Sequence, residues 1–281
     1  MTSRSTALGS PKDMSSRRKI GYLGPGGSWT HQACLDMFGP EGLVALESAR
    51  LFAAFENDEI DQACVPVTTS IVGVTPYLDP VLELPSVVIV AEYPKMLGYS
   101  LLARPGTKLE EIKNVIAHPV ALEEVKPWLD RKLPSVRRIT SIGGGAAARS
   151  VSESSSMDTA SMGPKIGGSI YGLVSLVDAI EEGPHNVTRW WVLGREMSAP
   201  TGNDKTSLVV DVIDDEFSKL LKDMTLAGLA ILNIYERPSK RTLDSHRYLI
   251  EVTGHATEAP LADFLRAEPQ VRLLGSYPRK Y

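Results

Sequence analysis

The chain has few of the residues that would indicate a metal centre, a disulfide framework or a membrane segment. It contains only 2 cysteines, Cys34 and Cys64, and neither belongs to a CxxC or Cys/His pattern. This spacing excludes a conventional zinc site and predicts reduced thiols in the cytoplasm. No run approaches the roughly 18 apolar residues that a membrane helix requires. We therefore expect no metal ion and no membrane partner.

An excess of positive charge is also absent. Lys and Arg number 30 against 34 Asp and Glu, which gives a formal net charge of -4. Such a balance provides no electrostatic footprint for nucleic acid, so an anionic ligand must be held by a local site. The segment 1–18 has no apolar core of the kind found in secretory signals, and its Ser, Thr, Gly and basic residues predict a disordered tail.

What the chain does have is the content of a folded α/β protein. Its 281 residues, 43% of them hydrophobic, predict two domains. From residue 19 onward, short apolar segments alternate with helical patterns, which is typical of strands covered by helices. Expected strands include Lys19–Leu23, Tyr99–Ala103 and Arg189–Leu193, and expected helices include Leu122–Lys132 and Gly167–Ile180.

Two loops organise this pattern. A strand, the turn Gly24–Ser28 and a helix from about Thr30 form a unit that presents free backbone N–H groups, which suits a carboxylate. The turn lacks a dinucleotide fingerprint and the Lys of a P-loop, so we assign no nucleotide. The Pro- and Gly-rich segment 199–205 predicts a linker between a region 19–198 and a module 206–281. Strands and helices of that module are expected in the order βαββαβ of a ferredoxin-like domain.

Several segments match one protein family in the same order along the chain. They are Gly21–His31 (GYLGPGGSWTH), Val65–Ser70 (VPVTTS), Ala117–Pro119 (AHP), Asn186–Trp190 (NVTRW) and, further on, Arg237–Pro238 and Leu274–Pro278. The chain resembles the prephenate dehydratases from residue 19 onward. This resemblance implies a two-lobed catalytic region, like that of periplasmic binding proteins, followed by a regulatory ACT domain. It also implies pairing of ACT domains in a homodimer or homotetramer, and no cofactor.

The resemblance implies a reaction and a catalytic threonine. Family members remove carboxylate and hydroxide from prephenate, a small dicarboxylate, to give phenylpyruvate in the synthesis of phenylalanine. Thr188 matches the Thr of the family's Thr-Arg-Phe motif, whose hydroxyl donates to the departing hydroxyl. Arg189 matches the adjacent Arg and is expected to clamp a substrate carboxylate, because guanidinium can bind a carboxylate with two hydrogen bonds.

Other motif positions depart from the family. The pattern Glu-Asn-Ser is replaced by Thr68-Thr69-Ser70, so Thr69 and Ser70 stand where catalytic polar side chains are expected. Ala117 precedes His118 where the family usually has Ser. Glu124 lies where the family often has Gln, and there it either faces the substrate or belongs to a solvated helix face.

Two further groups of residues complete the expected sites. Gly27, Ser28 and Thr30 are candidates for substrate binding, although Ser28 and Thr30 also fit simple capping of the helix that follows. Asn233, Glu236 and Arg237 lie where the family binds a phenylalanine effector. The family's Gly-Ala-Leu stretch is replaced here by Asp215–Ser218, which predicts weak or absent phenylalanine binding.

The sequence therefore predicts a carbon–oxygen lyase that acts on prephenate or a close analogue. Two alternatives stay open. One is a decarboxylase that retains the ring hydroxyl and gives a non-aromatic product. The other is a catalytically silent sensor with an ACT module, which the changed residues Thr69, Ala117 and Glu124 favour.

Overall fold

A computed structural model describes residues 18–182 and 185–281. The predicted disordered tail lies outside the described residues except for Arg18. The strands are β1 (Ile20–Leu23), β2 (Leu43–Leu46), β3 (Gln62–Thr69), β4 (Gly73–Val74), β5 (Val88–Met96), β6 (Ser100–Ala103), β7 (Asn114–Ala117), β8 (Arg137–Thr140), β9 (Thr159–Gly163), β10 (Val174–Val177), β11 (Val187–Gly194), β12 (Asp204–Ile213), β13 (Ile231–Pro238), β14 (Ser245–Thr253) and β15 (Arg272–Pro278). The helices are α1 (Trp29–Phe38), α2 (Ser48–Glu56), α3 (Leu78–Glu83), α4 (Pro119–Glu124), α5 (Lys126–Lys132), α6 (Gly144–Glu153), α7 (Ile166–Tyr171), α8 (Asp214–Leu226) and α9 (Leu261–Ala267).

The described residues form three sheets. The first has the order β2-β1-β3-β11-β5, with β4 beside β3, and together with α1 to α3 it makes lobe 1. The second has the order β10-β6-β9-β7-β8 and makes lobe 2 with α4 to α7. The third, β13-β14-β12-β15, contains the C-terminal strands. Parallel pairs such as β1–β2 and β7–β8 occur in the first two sheets, as expected for strands joined through covering helices.

The chain passes between the two lobes twice. It leaves lobe 1 after β5 and returns from lobe 2 to β11, the strand that lies between β3 and β5. The two crossing segments are tied together because the backbone N–H of Leu97 donates to the carbonyl of Asn186 at 2.8 Å. This arrangement leaves a cleft between the lobes, with β11 at its base.

The third sheet is buried on both faces. One face packs on α8 and α9 around Leu208, Ile250 and Phe264. The other face contributes Val209 and Tyr277 to the same hydrophobic core as Trp191 of β11 and residues of α2 and α3. Backbone contact is close as well, since a Cβ at Gly275 would collide with the carbonyl of Ile89 in β5. Lobe 1 and the C-terminal sheet therefore share one packed interior.

The predicted α/β class and the C-terminal order βαββαβ are confirmed, but several boundaries differ. The helix expected over Gly167–Ile180 ends at Tyr171, because Gly172 adopts a left-handed conformation with φ 66° and Val174–Val177 then pairs with β6. The helix expected over Leu122–Lys132 is two helices that meet at Val125. Asp204 and Lys205, expected in the linker, are buried at the start of β12.

Within residues 18–182 and 185–281, none of the helices combines the length and the hydropathy that spanning a bilayer demands.

Candidate active site

A cavity of about 460 Å³ occupies the cleft between the lobes. Its walls are mainly apolar and aromatic, with Trp29, Val74, Tyr77, Leu97, Met162 and Trp190 among them. Among the described residues that line it, none is Arg, Lys, Asp or Glu. His118 is the one lining side chain in these ranges that can carry a positive charge, and burial lowers its pKa, which favours the neutral ring. A ligand here is therefore held by dipoles and shape rather than by full charges.

The N-termini of two helices meet at this cavity. α1 begins after Ser28, whose hydroxyl accepts the backbone N–H of His31 at 3.2 Å, and α6 begins after Gly143. The approach is close because position 145 is glycine: a Cβ there would lie 2.7 Å from the carbonyl oxygen of Gly26. The first turns of both helices present backbone N–H groups and the positive end of the helix dipole, which suits an anionic group.

Strand β11 supplies the base of the cavity. Side chains alternate along a strand, so Asn186, Thr188 and Trp190 share the face toward the cleft. Thr188 is 5% exposed, and its hydroxyl enters none of the hydrogen bonds found between described residues. A buried hydroxyl that opens onto a cavity without a protein partner is available to a ligand.

The residues at the start of α1 have defined structural partners. Thr30 accepts the indole N–H of Trp190 at 3.1 Å and lines the cavity, which leaves its own proton to donate. Ser28 caps the helix, as the capping interpretation predicts, and also lines the cavity. Gly27 does not line it. Its N–H donates to Nδ1 of His31 at 3.1 Å, so the prediction that Gly27 contacts substrate is replaced by a role in shaping the turn, where its φ is 74°.

Thr69 ends strand β3 and Ser70 follows it, and the two differ in their placement. Thr69 lines the cavity, while its hydroxyl accepts the N–H of Val72 at 3.0 Å. Ser70 lies outside the cavity: its hydroxyl donates to the carbonyl of His185 at 3.1 Å and accepts the N–H of Val187 at 2.8 Å. Ser70 thus fastens the start of β11 to β3, and the expectation that it is catalytic is not met by this geometry.

Arg189 does not enter the cleft, which corrects the expectation that it clamps a substrate carboxylate. As the neighbour of Thr188 on a strand, it points to the opposite face of the sheet. Its side chain is 3% exposed, and its Nη1 donates to Glu251 of the C-terminal sheet at 2.7 Å. The Arg of the motif is kept in this chain, but here it belongs to the interior between lobe 1 and the third sheet.

Glu124 also differs from expectation. It is 3% exposed and absent from the cavity lining, so it neither faces a bound ligand directly nor lies on a solvated helix face. Burial raises its pKa, and the polar groups of Tyr99 and Asn186 only partly oppose this effect. Both of these neighbours do line the cavity. Glu124 therefore lies one layer behind the cavity wall.

The candidate effector residues are engaged within the chain. Asn233 donates to Glu251 at 2.8 Å, and Arg237 makes two hydrogen bonds of 2.7 Å to Asp79 of α3. Glu236 pairs with His246 at 2.7 Å. Glu236, Arg237 and His246 also line an open surface pocket of about 540 Å³, so these contacts engage the polar groups of the expected effector residues without filling the space beside them.

Sequence reasoning missed Tyr99 and Asn186 in the cavity wall, and Glu92, Lys205 and Glu251 around Arg189. A signal for the second group was present, because each of these charged residues interrupts an apolar strand. Such residues are rarely buried unless they are paired. In the described ranges, no cluster of three His, Cys, Asp or Glu side chains is arranged to hold a metal ion.

The fold and the cavity define an α/β protein of the two-lobed class that binds small molecules in an interlobe cleft. The sequence pattern of one family, Prephenate dehydratase, matches residues 20–198. The prephenate dehydratase of Amycolatopsis methanolica is 32% identical over 273 residues, which cover 93% of this chain and 88% of that protein. The bifunctional chorismate mutase/prephenate dehydratase of Neisseria gonorrhoeae is 30% identical, with coverages of 92% and 74%. The chain belongs to the prephenate dehydratase family.

Solved structures agree with this assignment. The prephenate dehydratase of Arthrobacter aurescens in complex with L-Phe superposes with a TM-score of 0.82 at 26% identity, covering 93% of this chain and 90% of that one. A quorum-quenching acylase, GqqA, superposes with a TM-score of 0.85 over 94% and 98% of the two chains. At 22% identity, this second likeness indicates a shared fold alone.

Proposed function

We propose that the chain is a carbon–oxygen lyase that converts prephenate to phenylpyruvate. The reaction takes up one proton, breaks the bond from the ring to the carboxylate and the bond from the ring to the hydroxyl, and releases carbon dioxide and water. The electron pair left by decarboxylation enters the ring as the hydroxyl departs, and the ring becomes aromatic. The observation that carries the proposal is the hydroxyl of Thr188, which opens onto the base of the cleft and makes no hydrogen bond to the described residues.

The cavity suits both the ring and the carboxylates of prephenate. Apolar and aromatic walls contact the ring, and the N-termini of α1 and α6 offer backbone N–H groups to carboxylates. Weak binding of the ring carboxylate favours its loss as neutral carbon dioxide, since a full positive charge would stabilise the ground state more than the transition state. Thr188 donates its proton toward the departing hydroxyl, and Thr30 and Thr69 are further hydroxyls on the same wall.

Incubation with prephenate and an ultraviolet scan of the product test the proposal. Accumulation of phenylpyruvate supports it. Loss of prephenate with a non-aromatic product would instead assign the chain as a decarboxylase that retains the hydroxyl. No consumption, with prephenate still binding, would favour the sensor. Thr188→Val is the matched control, since it replaces only the hydroxyl of the side chain with a methyl group.

We also propose that residues 19–198 form the catalytic region and that residues 206–281 form an ACT regulatory module that pairs in a homodimer or homotetramer. The order βαββαβ and the edge position of β13 in its sheet support this. A strand edge offers N–H and C=O groups to a second copy. Light scattering that finds a monomer across the micromolar range would contradict the pairing.

A further inference from the structure

Four charged side chains are buried together between lobe 1 and the third sheet. They are Arg189 on β11, Glu92 on β5, Lys205 on β12 and Glu251 on β14, and each is 3% exposed or less. Nη1 of Arg189 donates to both oxygens of Glu251, at 2.7 and 2.9 Å, and lies 3.4 Å from Glu92. Lys205 donates to Glu92 at 2.9 Å. We name these four residues the buried charge cluster.

The cluster is electrically balanced and most of its polar atoms are paired, although Nη2 of Arg189 has no hydrogen-bond partner among the described residues. It contains two cations and two carboxylates. Asn233 and Ser207 of the third sheet also contact Glu251, at 2.8 and 3.4 Å. Burial lowers the pKa of Arg189, but the Glu251 carboxylate and the neighbouring tyrosine hydroxyls together raise it above its ordinary value.

Such a cluster is a poor device for stability alone. Removing charges from water costs several kcal/mol per ion, and well-packed apolar residues of similar volume often stabilise a protein equally well or better. What a buried ion pair provides instead is directionality, because its donors and acceptors fit one arrangement of the backbone. The position of the cluster is therefore more informative than its energy.

The buried charge cluster lies next to Thr188, because Arg189 is the following residue on β11. On the other side of Arg189, the pairing of β11 with β3 is interrupted by a bulge between Thr68 and Pro66, where Pro66 has no N–H to donate. Backbone pairing fixes the strand less firmly on this edge, whereas β5 pairs with the other edge in an unbroken register past Thr188 and Arg189. Nε of Arg189 donates to the hydroxyl of Thr68 at 3.2 Å, and Nη1 reaches Glu251. The side chain of Arg189 thus ties β11 to β3 beside the bulge and joins β11 to the third sheet.

We propose that Arg189 and Glu251 are positioning residues that hold the Thr188 hydroxyl in place, so that the C-terminal sheet completes the active site without touching the cavity. This inference rests on the proposed function of Thr188. It assigns to Arg189 a role different from direct contact with substrate, and it makes the geometry of the cleft depend on a carboxylate from the third sheet.

The test compares two carboxylate-to-amide changes in the full-length protein. Glu251→Gln keeps the shape of the side chain and removes its charge. Asp79→Asn is the matched control, because Asp79 also joins lobe 1 to the third sheet, through Arg237, but lies on α3 rather than beside β11. We expect Glu251→Gln to lower kcat by about 10- to 100-fold, since a misplacement of about 1 Å costs that much. KM should change by less than about threefold, and Asp79→Asn should leave kcat within about twofold.

A second measurement separates positioning from stability. Arg189→Met combined with Glu251→Leu removes one charge of each sign and leaves Lys205 paired with Glu92, so the melting temperature should recover relative to either single change. A positioning role predicts that kcat stays low in this double variant. If kcat recovers together with the melting temperature, the two residues are merely structural and the inference is overturned.

A third readout does not depend on turnover. The methyl resonance of Thr188 in protein labelled at threonine methyl groups, assigned through its loss in Thr188→Ser, should move in Glu251→Gln and stay in place in Asp79→Asn. Wild-type protein that never consumes prephenate would refute the proposed function while this resonance still tests the positioning. An unmoved resonance in folded Glu251→Gln and Arg189→Met proteins would refute the inference itself.

Discussion

At the scale of single residues, the proposed reaction rests on the hydroxyl of Thr188 rather than on a charged side chain. We expect Thr188→Ala to lower kcat by about 100-fold or more, because the donor to the departing hydroxyl acts in the transition state. Thr188→Ser keeps a hydroxyl and should retain more activity than Thr188→Ala. Thermal melting serves as the control, since the side chain faces a cavity and its truncation removes little packing. Equal kcat values for all three proteins would remove Thr188 from the chemistry.

The burial of Glu124 predicts how the stability of the protein depends on pH. Its pKa is raised in the folded protein by burial, above an ordinary value of 4.5. The folded state therefore holds this proton more tightly than the unfolded chain, and stability falls as pH rises from about 4.5 through the folded pKa. Glu124→Gln abolishes that loss, so the variant should melt higher than wild type at pH 7 and like wild type near pH 4.

Tyr99, Glu181 and His185 also act on the Glu124 carboxyl, so the measurement needs a control. Glu123→Gln is suitable, because Glu123 is the neighbouring acid on the same helix and, unlike Glu124, is exposed. Its melting curve should follow that of wild type at both pH values. If the melting temperature of Glu124→Gln at pH 7 is no higher than that of wild type, the buried carboxyl is well solvated or ion-paired.

At the scale of elements, the meeting of α1 and α6 depends on glycine. A Cβ at position 145 would lie 2.7 Å from the carbonyl oxygen of Gly26 and 3.0 Å from the backbone N of Ser28. Gly145→Ala must therefore push the two helix N-termini apart, and KM for prephenate should rise by about tenfold with a smaller effect on kcat. Gly143→Ala is the control, because its Cβ would meet nothing within 4 Å and its φ of 170° is open to any residue. Equal KM values in both variants would contradict the proposal that the N-termini of α1 and α6 bind an anionic group of the substrate.

Sequence reasoning found the elements but not which side of each strand meets the cleft. The motif Asn186–Trp190 was identified as a unit, yet its members alternate between two environments: Thr188 and Trp190 face the cavity, whereas Arg189 faces the third sheet. The position of a residue in the motif cannot distinguish these faces, because both faces of a buried strand usually contact apolar surroundings. Glu124 was misplaced for a related reason, since its burial depends on Tyr99 and Asn186, which reach it from the two segments that cross between the lobes.

At the scale of the whole molecule, the third sheet shares a hydrophobic core with lobe 1. This arrangement affects how an effector could bind to the third sheet. Arg237 is held by Asp79, and Asn233 is held by Glu251. A phenylalanine effector that binds through the Arg237 guanidinium or the Asn233 amide would have to displace these contacts. We expect L-phenylalanine at millimolar concentration to change the melting temperature by less than about 1 °C, which corresponds to less than about half of 1 kcal/mol, because 1 kcal/mol gives about 2–4 °C in a chain of this size. Saturable stabilisation by several degrees would contradict this prediction.

The core that lobe 1 shares with the third sheet also predicts what happens when the C-terminal residues that form this sheet are removed. A chain that ends after Gly202 loses Val209, Leu249 and Tyr277 from the core that covers Trp191. It also removes the partners of Arg189 and Glu92 on the third sheet and exposes both side chains, with the apolar surface around them, to water. Burial of each large apolar side chain contributes about 1.5–3 kcal/mol, so the loss of this cover is comparable with the whole stability of a typical domain, about 5–15 kcal/mol.

We therefore expect the truncated chain to be unfolded or aggregated rather than merely less oligomeric. The measurement is far-ultraviolet circular dichroism with light scattering, on the truncated chain and on a full-length chain cut by a protease site placed in 199–203. Cutting without removal leaves the core intact, so the cut protein should stay folded with its two pieces associated. A truncated chain that is folded, monodisperse and active on prephenate would show that lobe 1 does not need the third sheet, and it would also overturn the positioning role of Glu251.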